Sequence, residues 1–344
     1  MDQVDPRISF SIGTADAGSD DGQFNSAEGL TFDEGRGRLL VADMENERIQ
    51  VFSSDDGSFI TKFGTVGEGQ GEISYPIDIT YDRVCDHVIV CDLDTDRLST
   101  FAACDWSFVS DCGATSERRV ELSVPHGIAI DHQRRIIAIA DTANDQVQVV
   151  SLPEYSLVRV IRTLDGKSRL GGPKGVCFDV LRGRLIILDT DHHRVLVLSS
   201  TDGSFLFTFG SKGKTPGKFK YPHGVCVDNH GRIIVADYTT PLRLQAFTAE
   251  GEYLSTFECP DHPSGVAFDQ HRGLIAFTAG HRVHVIGANR WLPGTYQWSA
   301  TRRQHAPAPI KRAIKALTMI RSLAPESALW VLPNELLFEI FSYL

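Results

Sequence analysis

The sequence lacks the cysteine spacings that build metal fingers or redox-active pairs. Its seven cysteines include no Cys-x-x-Cys pair, and metal fingers require such pairs at fixed spacing. The first ten residues, MDQVDPRISF, show no basic segment followed by an apolar run, so no secretory signal is expected. No stretch approaches the roughly 20 apolar residues that span a membrane. These absences predict an intracellular, cytoplasmic chain in a reducing environment, away from membranes.

Positive charge is also scarce. Against 34 Lys and Arg stand 44 Asp and Glu, for a net charge of −10. From Gly287 onward there are seven basic and three acidic residues, or +4, so the preceding 286 residues carry −14. Non-specific nucleic-acid binding requires a basic face. The acidic body therefore favours a protein partner over RNA, which remains an alternative.

The sequence is rich in internal repeats. Apolar runs ending in aspartate recur at intervals of 49, 49, 48 and 48 residues, ending at Asp43, Asp92, Asp141, Asp189 and Asp237. A sixth, degenerate copy is GLIAFTAG, and ahead of each of the six copies lies a second aspartate: Asp33, Asp82, Asp131, Asp179, Asp228 and Asp269. A Pro-x-Gly turn precedes most of these, as in VPHGIAID and YPHGVCVD. Four short strands per unit at this period predict the blades of a β-propeller.

The sixth unit has no outer strand of its own, because WLPGTY follows HRVHVI directly. The N-terminal segment ISFSIGT matches the outer strands FITKFGT and FLFTFGS, and in the sixth blade it would remove a free sheet edge. The predicted fold is all-β: a six-bladed β-propeller closed by an N-terminal strand, with a short C-terminal helical tail. The predicted domains are the propeller (1–286), a linker packing on it through Trp291 and Trp298 (287–308) and the helical tail (309–344).

The repeated motif resembles the NHL repeat. Pro-x-Gly-apolar-x-apolar-Asp, an apolar-Ala-Asp strand end and Arg-apolar-x-Val-Phe occur in order from Ile8 to about Ile286. The resemblance implies a six-bladed propeller used as an interaction platform, as in tripartite-motif proteins, where it recruits protein or RNA to a ubiquitin ligase. The RING, B-box and coiled coil of those proteins are not in this chain, so only the propeller is carried over.

The middle residue of each Pro-x-Gly turn is predicted to lie at the mouth of the central channel. Reading that position round the ring gives Glu28, Ile77, His126, Lys174, His223 and Ser264. All except Ile77 are polar, and these five are the candidate binding residues. The repeated aspartates and arginines occur in nearly every blade, which indicates structural hydrogen bonds at strand ends rather than catalysis, and no catalytic residue is predicted.

Three of these residues suggest an alternative. Glu28, His126 and His223 come from alternate blades, and two imidazoles with one carboxylate form the ligand set of many zinc and non-haem iron sites. The Pro-His turns are similar to those of the peptidylglycine-amidating lyases, which implies a divalent metal in the channel. The chain departs from that family at Gly224, where an acidic residue would follow the histidine, and at Glu28, where a histidine would stand.

Past the repeats, PIKRAIKALTMIRSL and LPNELLFEIFSYL predict two amphipathic helices. The second resembles the first helix of an F-box, which implies docking to a Skp1-type adaptor. The pair also resembles a SOCS box, which implies an elongin-type adaptor and a cullin, and a hairpin docked on the propeller is the third alternative. The predicted function is a non-enzymatic scaffold and substrate adaptor with no cofactor, and its adaptor-docking residues are Leu332, Pro333, Leu336, Leu337, Ile340, Phe341 and Leu344.

Overall fold

The computed structural model describes residues 5–113, 120–163 and 168–292. The β-branched runs of the repeats form strands, as their side chains favour. The second strand of a unit is apolar on both faces because both are buried; Leu39 to Ala42, for example, are fully covered. The third strand is buried as well and includes polar residues such as Gln50 and Gln245. The all-β, six-bladed propeller predicted from the repeats is confirmed.

There are 26 strands in the described residues. In chain order they are β1 (Ile8–Gly13), β2 (Ala27–Asp33), β3 (Arg38–Asp43), β4 (Arg48–Ser53), β5 (Phe59–Phe63), β6 (Thr65–Val66), β7 (Glu72–Ile73), β8 (Pro76–Asp82), β9 (His87–Asp92), β10 (Arg97–Ala102), β11 (Phe108–Gly113), β12 (Pro125–Asp131), β13 (Ile136–Asp141), β14 (Gln146–Ser151), β15 (Leu157–Ile161), β16 (Pro173–Asp179), β17 (Arg184–Asp189), β18 (Arg194–Ser199), β19 (Phe205–Phe209), β20 (Pro222–Val227), β21 (Ile233–Asp237), β22 (Arg243–Phe247), β23 (Tyr253–Glu258), β24 (Pro263–Asp269), β25 (Leu274–Ala279) and β26 (Arg282–Gly287). The short helices are 3-10 turns at Met44–Asn46, Thr142–Asn144 and Val180–Arg182 and the α-helix α1 (Ala288–Trp291).

The strands form six antiparallel four-stranded sheets, which are the blades. Blade 1 is β2–β5, blade 2 is β8–β11, blade 3 is β12–β15, blade 4 is β16–β19 and blade 5 is β20–β23. Blade 6 contains β24, β25 and β26, and its fourth strand is β1, which pairs antiparallel with β26 and sets Ile12 opposite Val283. The two-residue strands β6 and β7 pair in the loop before blade 2. None of the helices in the described part of the chain has the length and apolar character to cross a membrane.

The hydrophobic core lies between the blades. It divides into six clusters, and each joins two neighbouring sheets. One of them packs Val283 and Val285 of blade 6 against Leu39 and Val41 of blade 1. Since every blade shares a core with the blades on both sides, the ring has no open interface between blades.

The repeated aspartates are structural, as their recurrence predicted. All eleven are at most 4% exposed. The Asp43 carboxylate accepts the Asn25 N–H at 2.8 Å and the Arg48 Nε–H at 2.7 Å, and Asp189 and Asp237 accept the equivalent loop N–H groups in their own blades. Bonds of this kind fix the loop before each of blades 1 to 5 to the end of the second strand of that blade. Cys177 and Cys226 are buried, as expected for small apolar residues.

The described chain continues past the sixth blade into α1. Trp291 is 3% exposed, its ring lies 5.8 Å from that of Phe257, and its Nε1–H donates to Ser255 Oγ at 3.2 Å. The first compact unit extends to Leu292, beyond the boundary of 286 set from the repeats. Trp298, the helical tail and its adaptor-docking residues lie outside the described residues, so those predictions stay predictions.

Candidate functional site

The turns that open the inner strands bring five of the six predicted residues to the wall of the central channel. The glycine of the Pro-x-Gly turns is needed because the carbonyl of the next blade's turn lies where a Cβ would be. A Cβ on Gly127 would be 2.3 Å from the Lys174 oxygen, and one on Gly224 would be 2.2 Å from the Ser264 oxygen. Inner strands packed this closely surround a cavity of about 230 Å³, whose lining includes Ile77, His126, Lys174, His223 and Ser264.

Four of the five polar residues form a chain of hydrogen bonds across four blades. Lys174 Nζ lies 2.6 Å from His223 Nε2, and His223 Nδ1 lies 3.4 Å from Ser264 Oγ. Ser264 Oγ donates to Glu28 Oε2, and Ser26 Oγ donates to Glu28 Oε1 at 3.0 Å. The candidate residues are therefore bonded chiefly to one another, and they form a polar floor to the channel mouth.

Burial sets the protonation of this floor. It raises the pKa of Glu28, against the hydrogen bonds from Ser264 and Ser26, and it lowers the pKa of Lys174, against the attraction of Glu28. The pKa of His223 falls well below its ordinary value through burial and the nearby Lys174 charge. His223 is thus a neutral imidazole whose Nε2 accepts from Lys174, so that its Nδ1–H points toward Ser264.

His126 joins the group through ring contacts only. Its ring is edge-on to that of His223 at 5.9 Å, and burial together with Lys174 lowers its pKa to about 3. Tyr238 stacks on the other side of His223 at 4.4 Å between ring centroids. Both imidazoles therefore behave as neutral, packed rings at physiological pH.

The alternative metal site is not assembled. In the described part of the chain, no group of three or more His, Cys, Asp or Glu residues has the arrangement of a metal site. Glu28 is occupied by two serine hydroxyls, and the Nε2 of His223 faces the Lys174 ammonium, where a cation would have to sit. In this arrangement Glu28, His126 and His223, the alternative ligand set, do not fit a channel metal of the lyase type.

One buried carboxyl at this site was missed as a functional feature. Asp78 occupies the glycine position of the second repeat, a departure visible in the sequence as YPIDITYD. Its Oδ2 accepts the Ile128 N–H of blade 3 at 2.8 Å, and its Oδ1 accepts the Ile79 N–H at 2.9 Å. Burial raises the pKa of Asp78 to about 7. The side chain thus links blades 2 and 3 beside the channel.

The loops around the mouth carry a second feature that sequence reasoning missed. In blades 1, 2 and 5, the first arginine of the third strand binds three carbonyls of the loop before its own blade. Arg48 donates to residues 19, 20 and 23 at 2.8–3.1 Å, Arg97 to residues 68, 69 and 72 at 2.7–2.8 Å, and Arg243 to residues 214, 215 and 218 at 2.7–3.4 Å. We call these contacts the arginine clamps. Their sequence signal is a glycine two residues before a buried anchor, in GQF, GEI and GKF.

The clamped loops share one backbone but differ in charge. The loop before blade 1 exposes Asp16, Asp20 and Asp21, and the loop before blade 2 exposes Glu68. The loop before blade 5, Ser211–Tyr221, contains four lysines and no acidic residue. The chain therefore keeps the loop scaffold constant while the charge that it presents changes from blade to blade.

Comparison with family models supports the same architecture. Residues 25–114 match a family described as a 6-bladed beta-propeller, and residues 219–247 match the NHL repeat. The predicted resemblance to NHL-repeat and six-bladed propeller proteins is supported. No finding supports the resemblance of the tail to an F-box or SOCS box.

Three curated proteins resemble segments of the chain. Protein brain tumor of Drosophila melanogaster is 28% identical over 134 residues, which is 35% of this chain and 13% of that protein. Protein lin-41 of Caenorhabditis elegans is 42% identical over 50 residues, or 14% of this chain and 4% of that protein. Human NHL repeat-containing protein 3 is 33% identical over 115 residues, or 31% of this chain and 33% of that protein. The chain thus spans a third or less of each relative.

Solved structures share the fold. The WD40 beta propeller domain of Doa1 aligns with a TM-score of 0.55 at 12% identity, over 77% of this chain and 80% of that chain. A protein of unknown function from Bacteroides thetaiotaomicron aligns with a TM-score of 0.62 at 15% identity, over 80% and 73%. At such identities the likeness concerns the fold alone.

Proposed function

We propose that this propeller is a non-enzymatic scaffold whose loop face, around the channel mouth, captures a protein partner. The observation that carries the proposal is the arginine clamps. In each clamp a buried guanidinium donates hydrogen bonds to three loop carbonyls, as Arg97 does in blade 2. A loop held in this way is rigid, and a rigid loop loses less conformational entropy when it binds a partner. The clamped loops expose charges that differ from blade to blade, which favours recognition.

In this proposal Glu28, His126, Lys174, His223 and Ser264 form the floor of the recognition face. Their polar atoms are largely satisfied within the floor, which favours a role in shaping the mouth over a role in catalysis. The exposed loop residues then determine which partner is bound. RNA remains the alternative ligand, and the acidic loops before blades 1 and 2 disfavour it.

Affinity capture from native extract tests the proposal. The intact chain is compared with the double variant Asp16→Arg, Asp94→Arg on the loop face; Asp94 is exposed in the turn between β9 and β10. The matched control is Glu250→Arg, Glu252→Arg in the turn between β22 and β23, at the opposite end of blade 5, where both residues are exposed. Both variants change the net charge by the same amount. We expect specific partners to fall about tenfold with the first variant only, since reversed charge and added bulk at an interface cost several-fold or more in affinity.

Parallel capture from extract treated with ribonuclease separates the two ligand classes. Partners that survive this treatment and depend on the loop face support the protein scaffold. Partners that are lost with the RNA support the alternative. Equal loss in both variants, or no loss in either, would refute the loop face as the recognition surface.

We further propose that the tail connects the scaffold to a ubiquitin ligase. The support is the apolar pattern of Leu332, Leu336, Ile340 and Leu344, which needs a buried partner surface. The test is the intact chain carrying Leu336→Asp and Phe341→Asp in the same capture. Loss of a Skp1-type or elongin-type adaptor and a cullin, with the loop-face partners retained, is the expected result; an unchanged set of partners rejects it.

Finally, we propose that β1 closes the ring of blades. Its support is the antiparallel pairing with β26 and the burial of Ile12.

A further inference from the structure

Lysine is distributed unevenly along the chain. Only nine lysines occur in 344 residues, and four of them, Lys212, Lys214, Lys218 and Lys220, fall within nine positions. Among the described residues the other two are engaged elsewhere: Lys62 pairs with Asp21 at 2.8 Å, and Lys174 belongs to the channel floor. We call Ser211–Tyr221 the lysine loop.

The lysine loop is held by its backbone, which leaves its side chains free to act. Arg243 and Gln245 both donate to the Lys218 carbonyl, at 2.7 and 2.8 Å, and Gln245 Oε1 accepts the Gly217 N–H at 2.9 Å. Phe219 is fully buried beneath the loop. Lys212, Lys214 and Lys218 are exposed, and none is within ion-pair distance of a carboxylate in the parts of the chain that the structure describes.

This charge is particular to one loop and is not a general property of the fold. The other two clamped loops have the same carbonyl contacts and present acidic side chains, among them Asp20 and Glu68. A basic loop on a chain of net charge −10 produces a local positive potential that attracts anionic groups. The lysine loop has the same clamp contacts as the loops before blades 1 and 2 but carries the opposite charge. This difference indicates that its lysines serve recognition and not the fold.

An aromatic side chain ends the loop. Tyr221 is 40% exposed, and its ring is edge-on to that of His193 at 4.8 Å. It immediately precedes Pro222 and the channel-floor residue His223. Exposed tyrosines that are fixed by a neighbour are frequent anchor points in protein interfaces. The loop therefore offers three cations and one aromatic surface, side by side.

We propose that the lysine loop and Tyr221 bind an acidic peptide segment of the partner. Carboxylates of the segment pair with Lys212, Lys214 and Lys218, and an apolar side chain packs on Tyr221. The inference rests on the proposed function and names its partner chemistry. A short acidic peptide fits better than RNA, because a longer polyanion would run onto the acidic loops before blades 1 and 2, where like charges repel it.

Fluorescence anisotropy with defined probes tests this inference. The peptide probe is a labelled dodecapeptide of glutamates with one central leucine, and the RNA probe is a labelled oligouridine of twelve nucleotides. The intact chain is compared with the triple variant Lys212→Gln, Lys214→Gln, Lys218→Gln. Its control, Arg83→Glu with Val84→Glu, changes the net charge by the same −3 in an exposed turn at the opposite end of blade 2.

We expect the triple variant to bind the peptide about tenfold more weakly at low salt and with a flatter salt dependence, since three screened pairs are lost. The control should stay within about twofold of the intact chain. The Tyr221→Asn variant, which keeps a residue tolerant of the left-handed backbone at φ 63, should weaken binding with the salt dependence unchanged.

Three results would overturn the inference: tighter lysine-dependent binding of the RNA, equal weakening in the control, or no peptide binding at all. The affinity capture from native extract, repeated with the triple variant, distinguishes failure of the scaffold proposal from failure of the acidic-segment inference. Partners that depend on Asp16 and Asp94 but not on the three lysines would leave the scaffold standing and reject the acidic segment. Loss of the same partners in the triple variant supports both.

Discussion

At the scale of single residues, Asp78 shows how one departure from a repeat acquires a role. Five blades place glycine there: in blades 3 to 6 the carbonyl of the neighbouring turn leaves no room for a Cβ, and in blade 1 Asp78 itself fills that space. In blade 2 the carboxylate instead accepts one N–H from its own strand and one from Ile128 of blade 3. Two backbone hydrogen bonds stabilise the anion and burial destabilises it, and burial is the larger effect on its pKa.

Stability should therefore depend on pH through Asp78. Its pKa is about 7 in the folded state and about 3.9 in the unfolded state, so between these values only the folded state holds the proton. Its contribution is full below pH 4 and is lost as pH rises to 7. From pH 5 to 7, we expect urea unfolding to show the stability of the intact chain falling by roughly 2 kcal/mol relative to the Asp78→Asn variant. A constant difference would show that Asp78 is ionised throughout.

His126 should produce the opposite slope. Burial lowers its folded-state pKa to about 3, against about 6.5 when unfolded, so the unfolded state binds the proton first. Its contribution is present above pH 6.5 and is lost as pH falls. Relative to the His126→Gln variant, we expect the intact chain to lose about 1–2 kcal/mol between pH 6.5 and 5. If the intact chain lost no stability relative to His126→Gln as the pH falls from 6.5 to 5, the assignment of a neutral, buried imidazole would be wrong.

At the scale of elements, the strands could be predicted from the sequence and the loops could not. Runs such as VIVCD and IIAIAD are buried on both faces and repeat at a fixed interval, so their positions follow from local pattern. The arginine clamps join Arg97 to carbonyls 25 to 29 residues away, and backbone acceptors leave no residue signature. The bonds between Lys174, His223 and Ser264 likewise depend on side-chain directions, which the ring position alone does not specify.

The clamp in blade 5 can be tested against an arginine without one. Arg243 is 3% exposed, and Arg243→Met removes the guanidinium from three loop carbonyls and from the Asp237 carboxylate. The Lys218 carbonyl keeps its bond from Gln245, and Asp237 keeps the Lys220 N–H but loses its charged partner. We expect a loss of about 3–5 kcal/mol in urea unfolding, since an uncompensated buried charge remains. The freed loop should also be cut by trypsin at Lys212, Lys214 and Lys218 in the native protein.

Arg194→Met is the matched control. Arg194 begins the third strand of blade 4, is about a quarter exposed, and forms its described bond to Asp189 at 2.7 Å. Its loss should cost about 1–2 kcal/mol and leave the lysine loop uncut. Equal costs, or tryptic cleavage in both variants, would show that the carbonyl contacts add nothing to the order of the loop.

At the scale of the whole molecule, the six hydrophobic clusters between blades make the stability of each blade depend on its two neighbours. No blade has a core of its own, because each apolar face is buried against the next sheet. Closure then matters more than any one contact, since an open ring would expose two apolar faces at once. The strand β1 is the element farthest in sequence from its partner, with Ile12 opposite Val283.

Ile12→Asp in the intact chain tests whether β1 closes the ring. Ile12 is 6% exposed and packs in the cluster between blades 6 and 1, so a buried carboxyl there should cost about 3–5 kcal/mol. Ile60→Asp, on the equivalent outer strand of blade 1 but 49% exposed, should change stability by about 0.5 kcal/mol or less. If β1 closes a cooperative ring, amide exchange in β9 and β10 of blade 2 will accelerate as much as exchange in β26. Acceleration confined to blade 6 would show that β1 protects only the edge it covers, and that the remaining blades are stable without it.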